Sequence, residues 1–393
     1  MQSPSSSTLL ARGAIIATAA IFGLTYSLSA ALIALDLAER GLSEALIGAN
    51  AAMHAVGVLV MAVLLPRLTA RLGLRRAVIG SLLSAALLLC LFPALPLVWL
   101  WFPLRILLGA ASEVLFVLSE TWLNALSSEA TRARTMAAYT AAMSVGFALG
   151  PLLLSLVGSD GFLPYAIGAA LAGGAAAIVV SPSIAAPDIA DPGHGNPLHS
   201  MRLAPVAMAA TALNAAVETA GLTFLTLYAM SVGWEESQAT QLMTCMMAGA
   251  IVLQLPIGWL GDKIDRQTLI VLLAALSAAG AVAWPWALEV RSAIYPLLFV
   301  WGGLFVGIYT IMLTIVGSRF SGSAIIGIYA GMGVFWGVGA LIGPTLAGIA
   351  MQATTHGLVV FVAVACATFT VAAWVIGRPQ RDRTTSPAPE PRA

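Results

Sequence analysis

A few polar and ionisable side chains stand inside otherwise apolar runs, and together they could hold a charged solute or move a proton. The run W-F-P-L-R-I-L-L-G-A-A-S-E-V-L-F-V-L-S-E-T-W-L-N carries Arg105, Glu113, Glu120 and Asn124. At about 100° per residue, a helix would place these four and Gly109 within an arc of roughly 100°, with Trp122 on the opposite side. Glu218 follows Asn214 by one helical turn in a second such run. A carboxylate there, without a fixed partner, can bind a proton from one side and release it to the other as water access alternates. The bland alternative is a protonated glutamate bonded to a neighbouring helix. Arg105 is open to two roles, solute or proton chemistry and an ion pair that only holds helices together. Glu113, in the middle of its run, reads as functional. Glu120, near the end, reads rather as a partner for Arg71 or Arg75. His54 and Tyr26 are weaker candidates for the same site, because a single ring in a helical bundle more often serves packing.

The elements that position these residues follow from composition. Of 393 residues, 60% are hydrophobic and 9% charged, with a mean hydropathy of +0.95. A soluble domain carries roughly 25% charged residues, so this chain cannot face water over a whole surface. That excludes an ordinary cytosolic enzyme, a nucleic-acid binder and a disordered scaffold. A membrane-crossing helix needs about 20 apolar residues. Twelve such segments lie near 13–36, 44–65, 77–96, 99–124, 134–157, 162–181, 203–230, 238–259, 268–288, 293–316, 324–351 and 357–377. The first could pass for a secretory leader, but eleven further spans favour an uncleaved helix. Charges at the bilayer centre cost at least about 2.5–3.5 kcal/mol each, so those listed above should face a cavity or a partner.

Cation placement gives the orientation. With the N-terminus inside, the cytoplasmic loops and tails hold fifteen Lys and Arg residues, and the outer loops hold only Arg40 and Arg291. Both termini are then cytoplasmic. The connection 181–202, rich in Pro, Gly, Asp and His, divides a six-helix bundle at 1–180 from a second at 203–377, and 378–393 is a polar, Pro-rich tail. His194 and His199 in the connection read as solvated side chains. Cys90, Cys245 and Cys366 lie in apolar runs without metal-ligand or CxxC spacing, so no metal or disulfide is expected.

The two halves echo each other. P-R-L-T-A-R-L-G-L-R-R (66–76) follows the second span, and G-W-L-G-D-K-I-D-R-Q-T (258–268) follows the eighth, an offset of 192. Gly146-x-x-x-Gly150-Pro151 in the fifth span recurs as Gly339-x-x-x-Gly343-Pro344 in the eleventh, an offset of 193. Repeats of this kind build transporters in which two bundles rock about a midplane site.

Twelve helices in two bundles, the central connection and these motifs resemble the major facilitator superfamily over about residues 12–378. Its loop motif, G-x-x-x-D-R/K-x-G-R/K-R/K, is matched in the first copy by Arg71, Gly73, Arg75 and Arg76, with Pro66 and Ala70 in place of the leading glycine and the acid. The second copy keeps Gly258, Asp262, Lys263 and Arg266, with Asp265 at the inner glycine. The resemblance implies that this loop latches the bundles on the cytoplasmic side when the cavity opens outward, with the second copy carrying more of the latch. Arg105-x-x-x-Gly109 is similar to the superfamily's R-x-x-Q-G motif, tied to proton coupling in antiporters, with Leu108 replacing the glutamine. The fifth-span motif is similar to the G-x-x-x-G-P motif of antiporters and implies helix bending at Gly146, Gly150, Pro151, Gly339, Gly343 and Pro344; tight packing without gating is the alternative.

The expectation is therefore an all-α integral membrane protein in the inner membrane. It is a secondary transporter of a small molecule, proton-coupled and leaning to drug-like efflux by antiport. It is expected to work as a monomer, without a cofactor and without enzymatic activity. No P-loop, GxGxxG after a strand, HExxH or nucleophile motif occurs. The alternatives are proton-linked uptake of a sugar or organic acid, and a lipid-handling or sensor protein on the same scaffold.

Overall fold

A computed structural model describes residues 6–127, 129–181, 184, 203–320 and 322–377; the readings made for the rest of the 181–202 connection and for the 378–393 tail lie outside these residues. The described residues are helical almost throughout: α1 (Ser6–Glu39), α2 (Glu44–Leu72), α3 (Leu74–Ala94), α4 (Trp101–Ala125), α5 (Glu129–Val157), α6 (Leu163–Val180), α7 (Pro205–Ser231), α8 (Glu236–Val252), α9 (Gln254–Lys263), α10 (Arg266–Val282), α11 (Trp284–Glu289), α12 (Arg291–Arg319), α13 (Gly322–Ala353) and α14 (Gly357–Gly377). Eleven passages are long and apolar enough to cross a membrane, α8 and α9 counting as one. The ninth passage is α10, with 17 residues, continued by the short α11.

Prolines explain the two breaks. Pro256 has no N–H and its ring opposes the carbonyl four residues back, which is Val252, the last residue of α8. Pro285 does the same at the start of α11, where proline is tolerated in the first turn. Pro66 does not stop α2. That helix runs on to Leu72, seven residues past the expected end of the span, because Pro66 is exposed where water can satisfy the freed carbonyl. The connection from α2 to α3 is then Gly73 alone, at φ +76°, a conformation that glycine adopts without a Cβ penalty.

Helix pairing repeats from one half to the other. In the first, α1 packs on α5, α2 on α4 and α3 on α6; in the second, α7 packs on α13, α8 on α12 and α10 on α14. The close approaches recur too. A Cβ on Gly146 would overlap the carbonyl of Ala20, and one on Gly339 would overlap that of Ala212, 192 residues further along. At the arginine-rich end, Arg75 donates to the carbonyls of Val179 (3.1 Å), Val180 and Ser181 (2.6 Å), where α6 ends. Gln267, 192 residues on, donates to the carbonyl of Ala373 in the last turns of α14 at 2.9 Å. Arg12 binds the carbonyl of Leu126 just after α4, through Nε at 3.1 Å and Nη2 at 2.5 Å. Cations at helix C-termini satisfy orphan carbonyls and oppose the helix dipole.

The halves meet through α2 with α13, α5 with α8, and α1 with α7. Contact is closest at the end away from the arginines. There Gly48 faces the backbone of Pro344 and Gly348, and Gly348 faces Glu44. Nearby, Glu236 accepts from both the amide and the hydroxyl of Ser159, each at 2.9 Å. Toward the arginine-rich end α2 is exposed on nearly every side: between residues 60 and 72 only Leu65 is buried. The apolar core divides in the same way. Ile15, Val78, Leu118 and Trp122 belong to a cluster of the first half alone, whereas Leu28, Phe92 and Tyr165 share one cluster with the second half. The halves are thus in backbone contact at one end, and α2 is exposed at the arginine-rich end.

Candidate functional site

Between the two halves, Tyr26 of α1, His54 of α2, Arg105 of α4 and Thr219 and Thr223 of α7 line a cleft with room for about one water-sized group. Local sequence sets each of these positions. Gly109, one turn after Arg105, lets α4 approach so closely that a Cβ would overlap the carbonyl of His54. That contact brings the Arg105 and His54 side chains to one place. Arg105 is 4% exposed; its Nη1 donates to the carbonyl of Ser29 at 3.3 Å, and its Nε has no partner. His54 is 5% exposed and neither ring nitrogen is hydrogen-bonded. Its ring meets that of Tyr26 edge-on, with centroids 4.9 Å apart.

From the other half, Glu218 accepts a hydrogen bond from Asn214 Nδ2 at 3.1 Å, and Asn214 Oδ1 is buried without a partner. Tyr26 lies within electrostatic reach of both Glu218 and Arg105. Tyr26 and Glu218 are 192 residues apart, so they occupy equivalent positions in the two halves. The fold thus brings Tyr26, His54 and Arg105 to one cleft, with Asn214 and Glu218 on the helix that supplies its Thr219 and Thr223.

The other charged candidates stand elsewhere. Glu113 is half-buried about two turns along α4 from Arg105, with no hydrogen bond or ion pair to the described residues, so the stripe on α4 does not converge on one point. Glu120 lies further toward the arginine-rich end and pairs with neither Arg71 nor Arg75. Arg75 is committed to the end of α6 instead, where three carbonyls converge on it. Glu120 lies within electrostatic reach of Tyr139 and Tyr309, and Tyr309 is also within reach of Glu218 and Tyr329. Tyr309 and the Thr219–Thr223 pair are missing from the residues singled out from sequence. A lone tyrosine in an apolar run reads as an interfacial anchor, and threonines are common in such helices. Only the register beside Glu218 could have drawn attention to the threonines.

The loop motifs hold to their own halves here. Asp262 and Arg266 form an exposed pair at 3.6 Å, Lys263 lies over the Trp259 ring at 3.8 Å, and Gly258 faces open space. Arg71 and Gly73 are exposed at the turn after α2. In the second copy Asp265 replaces the left-handed glycine by capping α10, accepting from the amide and the hydroxyl of Thr268 at 2.8 Å. Gly146, Gly150, Gly339 and Gly343 all serve backbone contact, and α5 and α13 run unbroken through Pro151 and Pro344.

The family model described as the Major Facilitator Superfamily matches residues 14–325 and 206–393, and the chain belongs to that family. It is a multi-pass membrane transporter. The chain is 25% identical over 293 residues to the MFS-type transporter YfkF of Bacillus subtilis (strain 168), covering 72% of each. It is 25% identical over 365 residues to the MFS-type transporter YcaD of Escherichia fergusonii, covering 92% of each. A crystal structure of a variant of the nucleoside transporter NupG has the same fold, with a TM-score of 0.77 at 14% identity over 94% of this chain and 100% of that one.

Proposed function

We propose that this transporter couples its cargo to protons by alternating access, with Glu218 as the proton carrier and Arg105 and Tyr26 as the groups that respond to its charge. The observation that supports the reading is a buried guanidinium of one half at a cleft whose other wall is α7, the helix that carries Glu218 next to the lining residue Thr219. A charge change on Glu218 alters the balance across the boundary between bundles, where a rocking motion must act. Glu113 supplies a second protonatable position nearer the arginine-rich end. Cation count supports reading the arginine-rich end as the cytoplasmic side, where the loop motifs would latch the bundles. The chain works as a monomer in the inner membrane, with both termini inside.

The direction that the helix-4 and helix-5 motifs support is drug-like efflux by antiport: a cationic cargo competes with the proton for Glu218. A second reading, proton-linked uptake of an organic acid, is favoured by one observation, that Arg105 forms no ion pair among the described residues. An anion held there would favour the proton on Glu218 and travel with it. Proteoliposomes loaded with a pH-sensitive dye separate these readings, tested against lipophilic cations, sugars, amino acids and organic acids. A solute-driven proton flux that disappears in Glu218→Gln supports the assignment, and its sign gives antiport or symport. Unchanged flux in Glu218→Gln would remove Glu218 from the mechanism.

A further inference from the structure

We propose that the cleft lined by Tyr26, His54 and Arg105 is the floor of an anion subsite, where one oxygen of the cargo's oxyanion takes the water-sized space against the Arg105 guanidinium. The proposal rests on the uptake reading of the same site. Among the described residues the ion pairs are Arg40–Asp36 and Arg266–Asp262, and Arg105 is in neither. The carboxylates of the neighbouring helices are engaged otherwise. Asp36 accepts from Arg40 at 2.7 Å and from the Tyr165 hydroxyl at 3.0 Å, and Glu218 accepts from Asn214. A guanidinium inside a membrane protein without a counter-charge is costly, and removing both charge and cost would be simple for a helix of this composition. Its retention has an account if the counter-charge arrives with the ligand.

The hydrogen-bonding groups agree with that sign of charge. On the first half, Arg105 Nε and both nitrogens of His54 are buried and unpartnered, and at least one His54 nitrogen always carries a proton to donate. On the second half, the hydroxyls of Thr219 and Thr223 already donate to the carbonyls of Ala215 and Thr219, at 2.6 and 2.7 Å. Those hydroxyl protons are therefore committed within α7. Unpartnered donors are thus found on the first half's wall, and an oxyanion fits against that wall. Carboxylate, phosphate and sulfonate groups share this chemistry, whether on a soluble cargo or on a lipid headgroup.

The test is thermal unfolding of the full chain in a neutral detergent at constant chloride. Acetate, lactate, phosphate and methanesulfonate are compared with acetamide, lactamide, trimethyl phosphate and dimethyl sulfone. A further arm adds phosphatidylglycerol against phosphatidylcholine. At saturating anion the expected rise in Tm is about 2–4 °C, absent with the neutral partner and absent in Arg105→Gln. Arg105→Gln is itself expected to unfold at a higher temperature than the parent without ligand, and Arg105→Lys to keep part of the anion response. A rise produced only by phosphatidylglycerol and lost in Arg105→Gln assigns the subsite to a headgroup. No anion-specific rise anywhere in the panel, or a rise that survives in Arg105→Gln, overturns the proposal. Glu218→Gln separates it from proton coupling: the anion response should persist in that variant even if proton flux is abolished.

Discussion

At Gly57, α2 comes so close to α4 that a Cβ would overlap the carbonyl of Ile106; 192 residues on, Gly249 of α8 meets Phe299 of α12 in the same way. Gly109 against His54 recurs as Gly302 against Met246. The crossings of the two halves thus coincide almost residue for residue, while the side chains at those crossings do not. Where the first half has Tyr26, His54 and Arg105, the equivalent positions of the second hold Glu218, Met246 and Leu298. The backbone contacts needed for the fold are shared. The charged and polar groups are confined to one copy or differ between copies, which a purely structural requirement would not produce. Repeat comparison therefore separates packing from chemistry within a single chain.

The shared contacts should be the most sensitive to change. Gly57→Val and Gly249→Val each place a branched side chain into a neighbouring backbone, where overpacking costs about 1–3 kcal/mol or more. Both are expected to lower the folded yield and the Tm by similar amounts, measured by thermal unfolding in detergent. Gly80 and Gly173, which face open space, should tolerate alanine. A large loss at Gly57 with none at Gly249 would break the equivalence of the halves.

The unshared residues should behave the other way. Glu218→Gln is expected to cut solute-driven proton flux at least about tenfold, or about 1.4 kcal/mol, while leaving the Tm near that of the parent. Tyr26→Phe, the same position in the other half, should have a smaller effect on flux. Equal loss in both would assign the site to the pair rather than to the carboxylate.

An intermediate case is the capping of α6 and α14. Arg75 binds three carbonyls and Gln267 one, at equivalent positions. Hydrogen bonds are worth about 1 kcal/mol each net, and more with a charged donor. Arg75→Ala should therefore lower stability by about 1–2 kcal/mol and Gln267→Ala by about half of that, read as Tm differences. Equal losses would mean that the charge of Arg75 contributes nothing beyond a neutral donor.

How much of this was legible in sequence depends on range. Apolar runs gave the passages, with ends off by up to seven residues, and motif offsets gave the repeat, because runs and motifs are local patterns. The helix of the second passage runs past Pro66 to Leu72, beyond the apolar run, while Pro256 broke a passage that composition makes continuous. For the site, Arg105, Glu218 and Asn214 stood out as polar residues in apolar surroundings. The meeting of Arg105 with His54 depends on Gly109 and Gly57, two close approaches of α4 and α2 that no periodicity reveals. Glu113 shares the face of Arg105 on a helical projection but is displaced from it by about two turns along the axis, and a projection discards that distance.

The smallest expected effect concerns the two turns at the arginine-rich end. Gly73 turns the chain in the left-handed region, whereas the equivalent Asp265 sits at φ −53° and caps α10. Gly73→Ala should cost about 1 kcal/mol or more, because φ +76° with ψ +160° is a conformation that essentially only glycine adopts. Asp265→Ala should cost about the same through the lost cap, but Asp265→Gly only a few tenths, since glycine is itself tolerated at that position. The exchange is thus asymmetric. Restoring the family glycine at 265 is nearly neutral, while Gly73→Asp pays the positive-φ penalty without gaining a cap. Comparable Tm losses for Gly73→Asp and Asp265→Gly would show that the two turns are interchangeable after all, and that the divergence of the motif has no conformational cause.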